Sequence, residues 1–434
     1  MEPITVGLIG CGVLIVLLLI GIPVAFSLLV VGLGGLSLVI GWRPTLGTLS
    51  TLPFFGSAQY SYTPMPLFIF MASLIFATGI GTTMYDSAAK WFSRLRGGLG
   101  ISTTVASTLF GTLTGSSLVT AAMFTKVSVP EMKKYGYNSP FAYGLTCASS
   151  VIGMLIPPSM LAILYGILAE LSISQLFMAG LGPGLLTALG FSLLIFFMVK
   201  RNPKLAPMAA ERFTWRQKFV SLHGIWSILL VALVMLGGIF TGLFTVTEGG
   251  AIGAFGIFVI VLVTRKLSWQ IMRWVSLDTV KTNTMIFLLL IGATLFSRFV
   301  TITGITSKSV ELISGAGLPG WGVMVGFMVI YIALGCFLDP ISILTITLPL
   351  VLPVSEAYGW NPIYFAMLII YNMHIGTITP PVGLTLFAVK GASGDEAAFE
   401  EIVRGTVPFY ILMVLIIGIL ILSEDLTIGL ARWM

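Results

Sequence analysis

Ile152-Gly153-Met154-Leu155-Ile156-Pro157-Pro158 and Ile375-Gly376-Thr377-Ile378-Thr379-Pro380-Pro381 decide the fold. The two stretches lie 223 residues apart, each inside a long apolar segment. A Pro-Pro pair removes two backbone donors and clashes with the preceding turn, so a helix cannot run through it. In hydrocarbon, such a break persists only where protein buries it or a cavity solvates it. Matched breaks in the two halves of an apolar chain point to the binding site of a secondary transporter.

The match extends outward. Pro130–Pro158 aligned on Pro353–Pro381 without gaps gives nine identities in 29 positions: Pro130/Pro353, Tyr135/Tyr358, Gly136/Gly359, Asn138/Asn361, Leu145/Leu368, Ile152/Ile375, Gly153/Gly376, Pro157/Pro380 and Pro158/Pro381. Average composition gives about two. Most of the identities are Gly, Pro, Asn and Tyr, which similarity among greasy helices does not explain. Thr78-Gly79-Ile80 and Thr303-Gly304-Ile305 continue the repeat upstream.

Composition places the chain in a membrane. It is 57% hydrophobic and 9% charged, against roughly 25% charged in soluble domains. Val6–Ile40 is too long for a signal-peptide core and lacks a basic leader, so it reads as structure. Cys11, Cys147 and Cys336 are dispersed in apolar context and suggest neither disulfides nor a zinc site. The two histidines, His223 and His374, are too few and too distant for metal-hydrolase chemistry.

Ten crossing segments are expected near 5–22, 24–41, 60–80, 140–165, 175–199, 222–242, 248–264, 283–303, 363–388 and 405–422, each about long enough for the hydrocarbon layer. Five per half make the repeats inverted. Two further apolar stretches, about 101–129 and 321–352, have helix-breaking centres at Thr112–Ser117 and Gly335–Pro340. They read as re-entrant hairpins; the alternative, one kinked crossing each, spoils the parity. The expected fold is therefore all-α and membrane-integral. Residues 1–199 form a first inverted repeat, 200–221 a cytoplasmic linker, 222–422 the second repeat and 423–434 a tail. The expected cytoplasmic segments carry seventeen Lys and Arg, Arg212 of the linker among them, against three on the other side (Arg43, Lys308 and Arg432). This bias puts both termini outside the cytoplasm. The segments 83–96 and 306–316 read as helices lying along an interface.

At each break one half-helix ends in unpaired carbonyls and another begins with unpaired amides. Carbonyls suit a bare alkali cation, and amides with their dipole suit an anion. One expected cation site comprises Ser116, Ser117 and Gly153, neutral oxygens only. The other comprises Asp339, Gly376 and Thr379. An acid at membrane depth is costly and by default functional; Asp339 serves either as a cation ligand or as a proton carrier, and capping the helix from Pro340 is compatible with both. Thr114, Ser149, Ser150, Ser159, Thr377 and Val382 are the candidate substrate contacts, with a substrate carboxylate facing the amides that begin at Ser159 and Val382. Glu248 reads as a helix cap, Arg298 as a snorkelling residue and His374 as a packing residue. A channel calls for polar stripes along several helices, and an intramembrane enzyme for a nucleophile with a base; neither is present.

Phe110–Ser117 (Phe-Gly-Thr-Leu-Thr-Gly-Ser-Ser), Val129–Tyr137, Ser149–Ser159, Thr247-Glu248 and Gly376–Val382 together resemble the large membrane subunit of the tripartite ATP-independent periplasmic (TRAP) transporters, over essentially the whole chain. The resemblance implies a bacterial or archaeal inner-membrane protein and sodium-driven uptake of a small organic acid, with Na+ at two sites. It implies a periplasmic substrate-binding protein and a small four-helix membrane subunit, here a separate chain, as partners, and no nucleic acid. It implies an elevator in which hairpins and broken helices move against a scaffold. Asp339-Pro340 matches the family's cation-site acid, whereas Thr114 stands at a variable place. A proton-coupled carrier or an uncoupled channel is the alternative, and the substrate stays open among dicarboxylates, sugar acids and sulfonates.

Overall fold

The structure is a computed structural model describing residues 2–55, 57–207 and 213–433. Arg212 and part of the linker lie outside the described residues, as does the last residue of the tail. The described residues are helical throughout, without strands. The helices are α1 (Pro3–Leu19), α2 (Val24–Ile40), α3 (Trp42–Phe55), α4 (Pro64–Ala77), α5 (Ile80–Phe92), α6 (Gly98–Thr114), α7 (Ser117–Lys134), α8 (Ser139–Ser149), α9 (Met160–Leu168), α10 (Ile173–Arg201) and α11 (Trp215–Leu222). The second half continues with α12 (Trp226–Phe240), α13 (Val246–Val263), α14 (Trp269–Ile302), α15 (Ile305–Gly315), α16 (Gly320–Gly335), α17 (Pro340–Ala357), α18 (Pro362–Thr377), α19 (Leu384–Ser393), α20 (Phe399–Leu422) and α21 (Glu424–Ile428).

By length and apolarity, six helices of the described residues can cross a membrane, and a seventh span arises if α11 and α12, bent by 58°, are taken as one. Helices α1, α2 and α16 are apolar but shorter. Each of the ten expected segments coincides with a helix or, at 140–165 and 363–388, with a broken pair. Outward faces carry side chains such as Leu19 (81% exposed), Leu233 (70%) and Leu422 (88%). A water-soluble fold does not present such a surface on every side, and a lipid-solvated one does.

Two elements differ from expectation. Helix α3 was not foreseen, because Pro44, Gly47 and Pro53 interrupt its pattern. Helix α14 was expected to begin near 283, but it is one helix of 34 residues from Trp269. Arg273 and Lys281, counted among the cytoplasmic-side basic residues, lie with Asp278 on its first turns.

Contacts pair the halves crosswise. Helix α2 packs on α14, and α13 packs on α4. Glycines set both seams. On α2, a Cβ at Gly35 would sit 2.3 Å from the Phe299 ring, and one at Gly32 would sit 2.9 Å from the Phe296 nitrogen. On α13, a Cβ at Gly253 would sit 3.0 Å from Met71 Sδ and one at Gly250 would sit 3.3 Å from the Phe68 ring. Hydrocarbon gives no hydrophobic drive for helix association, so close approach over small residues supplies it through dispersion. The same swap recurs in α8 on α20 and α18 on α10, and in α7 on α19 and α17 on α9. The linker is pinned by buried Lys218, whose Nζ donates to the Trp91 carbonyl at 3.1 Å while Trp91 Nε1 donates to the Lys218 carbonyl at 3.2 Å.

The tightest seam is α8 on α20, where a Cβ at Gly144 would lie 1.9 Å from the Gly405 carbonyl carbon. Gly144→Val therefore forces the two backbones apart. Overpacking of this kind costs about 1–3 kcal/mol or more. The expected outcome is a lower melting temperature and less monodisperse protein in detergent. Gly12→Ala, at a position with no atom within 4 Å, serves as the control and melts as the parent does. Equal melting of Gly144→Val and the parent contradicts this packing.

Candidate functional site

Each of the two hairpins folds back on itself. In the first, Thr103 faces Met132 (3.9 Å), Phe110 stacks edge-on against Phe124 (5.7 Å between centroids) and Thr114 Oγ1 meets Thr120 Oγ1 at 3.4 Å. These pairs step down α6 as they step up α7, so the arms are antiparallel. In the second, Tyr331 on α16 bonds Thr347 on α17 at 2.7 Å. A single kinked helix cannot make such pairs.

The tips are short because their residues suit a reversal. Gly115 sits at φ +60°, where a Cβ is disfavoured. Ser116 then caps α7, accepting from the Val119 amide at 3.4 Å. At the second tip Asp339 caps α17: Oδ2 accepts from the Ser342 amide at 2.9 Å and Oδ1 from the Ser342 hydroxyl at 2.5 Å. The expected capping role of Asp339 is thus present in the structure, and Pro340 stands at the first helical position, where a missing donor costs nothing.

Both breaks are real. α8 ends at Ser149 and α9 begins at Met160; α18 ends at Thr377 and α19 begins at Leu384. The Pro157-Pro158 and Pro380-Pro381 bonds are both cis. Each break is seated on the arm of its own hairpin through a pair of glycines. A Cβ on Gly153 would lie 2.4 Å from Gly111 Cα, and one on Gly376 would lie 2.5 Å from Gly335 Cα. Further bonds tie tip to break: Ser117 N–H to Met154 Sδ (3.0 Å) in the first half, and Gly383 N–H to the Cys336 carbonyl (2.9 Å) in the second. Helix α10 closes over the first break at Gly180, where a Cβ would stand 2.3 Å from the Leu155 oxygen.

Between the tips lies a cavity of about 400 Å³. Thr114, Ser116, Ser117 and Asp339 line it, with Ser73 of α4 and Trp274, Asp278 and Thr282 of α14 opposite. Four of the expected site residues are therefore brought together, from both halves. Gly153 and Gly376 are the glycine seats just described. The others lie at the breaks and are not cavity walls. Ser149 Oγ meets Thr104 Oγ1 at 3.0 Å, and Ser150 Oγ donates to the Cys147 carbonyl at 2.7 Å. Ser159 caps α9 through the Ala162 amide (3.4 Å). The hydroxyls of Thr377 and Thr379 donate back to the His374 and Ile375 carbonyls at 2.9 and 2.6 Å, and Val382 is half-buried beside Pro381. Ser73 and Asp278 were not foreseen. Their signal was the four-residue spacing of Trp274, Asp278, Thr282 and Ile286, which puts all four on one helical face. Glu248 is the expected cap, closing a reciprocal pair with Thr245: its Oε2 accepts from the Thr245 amide at 2.8 Å.

The family model of the tripartite ATP-independent periplasmic transporter DctM component matches residues 11–426. The chain belongs to this family. Its members are transport subunits, not enzymes. Among the relatives of this DctM-family chain, the C4-dicarboxylate TRAP transporter large permease protein DctM of Pseudomonas aeruginosa is 30% identical, over 93% of this chain and 94% of its own. The sialic acid TRAP transporter large permease protein SiaM of Vibrio cholerae is 28% identical, with 95% of each covered. Among solved structures, the Alcanivorax borkumensis YdaH transporter superposes with a TM-score of 0.62 at 15% identity, covering 88% of each chain, a likeness of fold alone.

If the glycine seats hold the tips in place, Gly153→Ala and Gly376→Ala each push a hairpin off its break. Both substitutions are expected to cut uptake at least tenfold, while circular dichroism still shows a helical protein. Uptake at the parent rate by either variant counts against the seats.

Proposed function

We propose that this chain is the translocating subunit of a sodium-coupled importer of a small organic acid, delivered by a periplasmic binding protein and braced by a separate four-helix membrane subunit. The cavity carries this reading: two hairpin tips, one from each half, meet in one largely apolar pocket that bears a few hydroxyls, with a carboxylate at only one of the tips. The substrate occupies that pocket. Sodium, as co-transported cargo, sits behind the tips, one ion with Ser116, Ser117 and the chain at Gly153, the other with Asp339, Gly376 and Thr379. The last carbonyls of α6, α8, α16 and α18 lose their helical partners at these places, and unwound carbonyls suit an alkali cation. The supporting chemistry is that the second ion balances Asp339, which otherwise repels an organic anion.

In this reading the halves, 1–199 and 222–422, are inverted repeats joined by the 200–221 linker, with ten crossings, two re-entrant hairpins and both termini periplasmic. The crosswise helix swaps and the basic bias of one side support it. The hairpins with α8, α9, α18 and α19 form the moving unit, and α1, α2, α4 and α12–α14 the scaffold of an elevator.

Uptake in proteoliposomes holding this chain, its small subunit and the binding protein is expected to follow an inward sodium gradient. Asp339→Asn keeps the cap's shape and removes the charge; it is expected to cut uptake at least tenfold and weaken sodium dependence. Ser116→Ala removes one neutral ligand and does less. Unchanged sodium dependence in Asp339→Asn sinks the second cation site, and uptake that follows a proton gradient instead favours the proton-coupled carrier. A reporter fused at the C-terminus is expected to be active only in the periplasm; cytoplasmic activity overturns the orientation.

A further inference from the structure

The cavity has a second carboxylate, on the wall away from the tips. Asp278 of α14 accepts a 2.7 Å hydrogen bond from Ser73 Oγ of α4. Both line the cavity together with Asp339, and its walls include no Lys, Arg or His. The coupling cation balances Asp339 in the reading above, whereas Asp278 is held by a neutral hydroxyl and forms no ion pair among the described residues. Helix α14 packs against α2 and α4 against α13, and in the elevator reading above both helices belong to the scaffold.

The cavity is also off-centre. Trp274, Asp278 and Thr282 lie on the first half of α14, which also carries Arg273 and Lys281 and follows Arg265 and Lys266. On that side a smaller hollow of about 270 Å³ is lined by Phe76, Ala77, Gln270, Ile271 and Trp274. Phe76 and Trp274 border both spaces, their ring centroids 5.8 Å apart. The aromatic pair therefore stands between the cavity and the basic end of α14.

Resting on the organic-acid reading, we propose that Asp278 is a release residue. In this conformation its carboxyl group faces the solute's carboxylate and lowers the cavity's affinity for it. The solute then leaves past the Phe76–Trp274 pair toward the basic end of α14. Because the scaffold does not move with the tips, the repulsion acts only when the tips face α14, which makes arrival tight and departure easy. A like charge across a compact cavity roughly 9 Å wide, at an effective dielectric constant of about 40, lowers affinity about fivefold.

The test is direct binding to the purified full chain in lipid nanodiscs, in sodium chloride, with sodium succinate, sodium N-acetylneuraminate and sodium isethionate as probes. Asp278→Asn still accepts from Ser73, so the fold is kept; it is expected to bind at least one anion about fivefold more tightly than the parent. Asp278→Glu, which keeps the charge, shows no such gain. In proteoliposomes of the complete transporter, Asp278→Asn lowers kcat together with KM for that anion. If anions bind the parent but Asp278→Asn binds them equally or more weakly, the release role is overturned, and weaker binding assigns Asp278 to a cationic group on the solute. If none of the anions binds either protein, the organic-acid reading fails and this proposal falls with it.

Discussion

An interrupted helix inside an apolar protein must have its freed amides and carbonyls answered, since each unanswered group costs several kcal/mol in hydrocarbon. This constraint governs the chain. Each break is covered by a hairpin arm of its own half, and cover at backbone distance is possible only where both partners lack a Cβ. Hence glycine faces glycine at Gly111–Gly153 and again at Gly335–Gly376. The tips are then held where the breaks are, and their hydroxyls and the Asp339 carboxyl group reach a cavity between two greasy halves.

The halves are alike in plan but not in environment. Every residue of α6 but Val105 and Leu109 is buried. The second hairpin exposes Trp321 (70%), Val329 (62%) and Phe337 (60%). The first arm of one hairpin is thus a core element and the first arm of the other a peripheral one, and only the second tip bears a carboxylate. Both tips reach the same cavity, and the carboxylate at the second is further held by two hydrogen bonds from Ser342. Asp278 adds a second carboxyl group to the lining, so the few polar side chains of a mainly apolar pocket are hydroxyls and acids.

Family membership fits this construction. A transport subunit has no need of a nucleophile or a metal cluster; among the described residues no group of three or more His, Cys, Asp or Glu is placed to hold a metal.

The sequence by itself determined the breaks, the hairpin centres, the apolar helices and the caps at Asp339 and Glu248, because each rests on local rules. Proline stops a helix, glycine turns a chain, and a short polar side chain answers free amides. Thr114, Ser116, Ser117 and Asp339 were legible for the same reason. Ser149, Ser150, Ser159, Thr377 and Val382 were legible as break residues, but which of them faces a cavity depends on what packs over the break. Only the tertiary structure decided that Gly111 and Gly335 are the partners of Gly153 and Gly376, and that Ser73 and Asp278 meet across 205 residues of chain. Asp278 sits beside Lys281 and near Arg273, and in sequence such neighbours read as a cytoplasmic segment. Its placement on a cavity wall comes from the crosswise docking of α2 on α14 and α13 on α4. That docking depends on which glycine faces meet, and no local pattern encodes it.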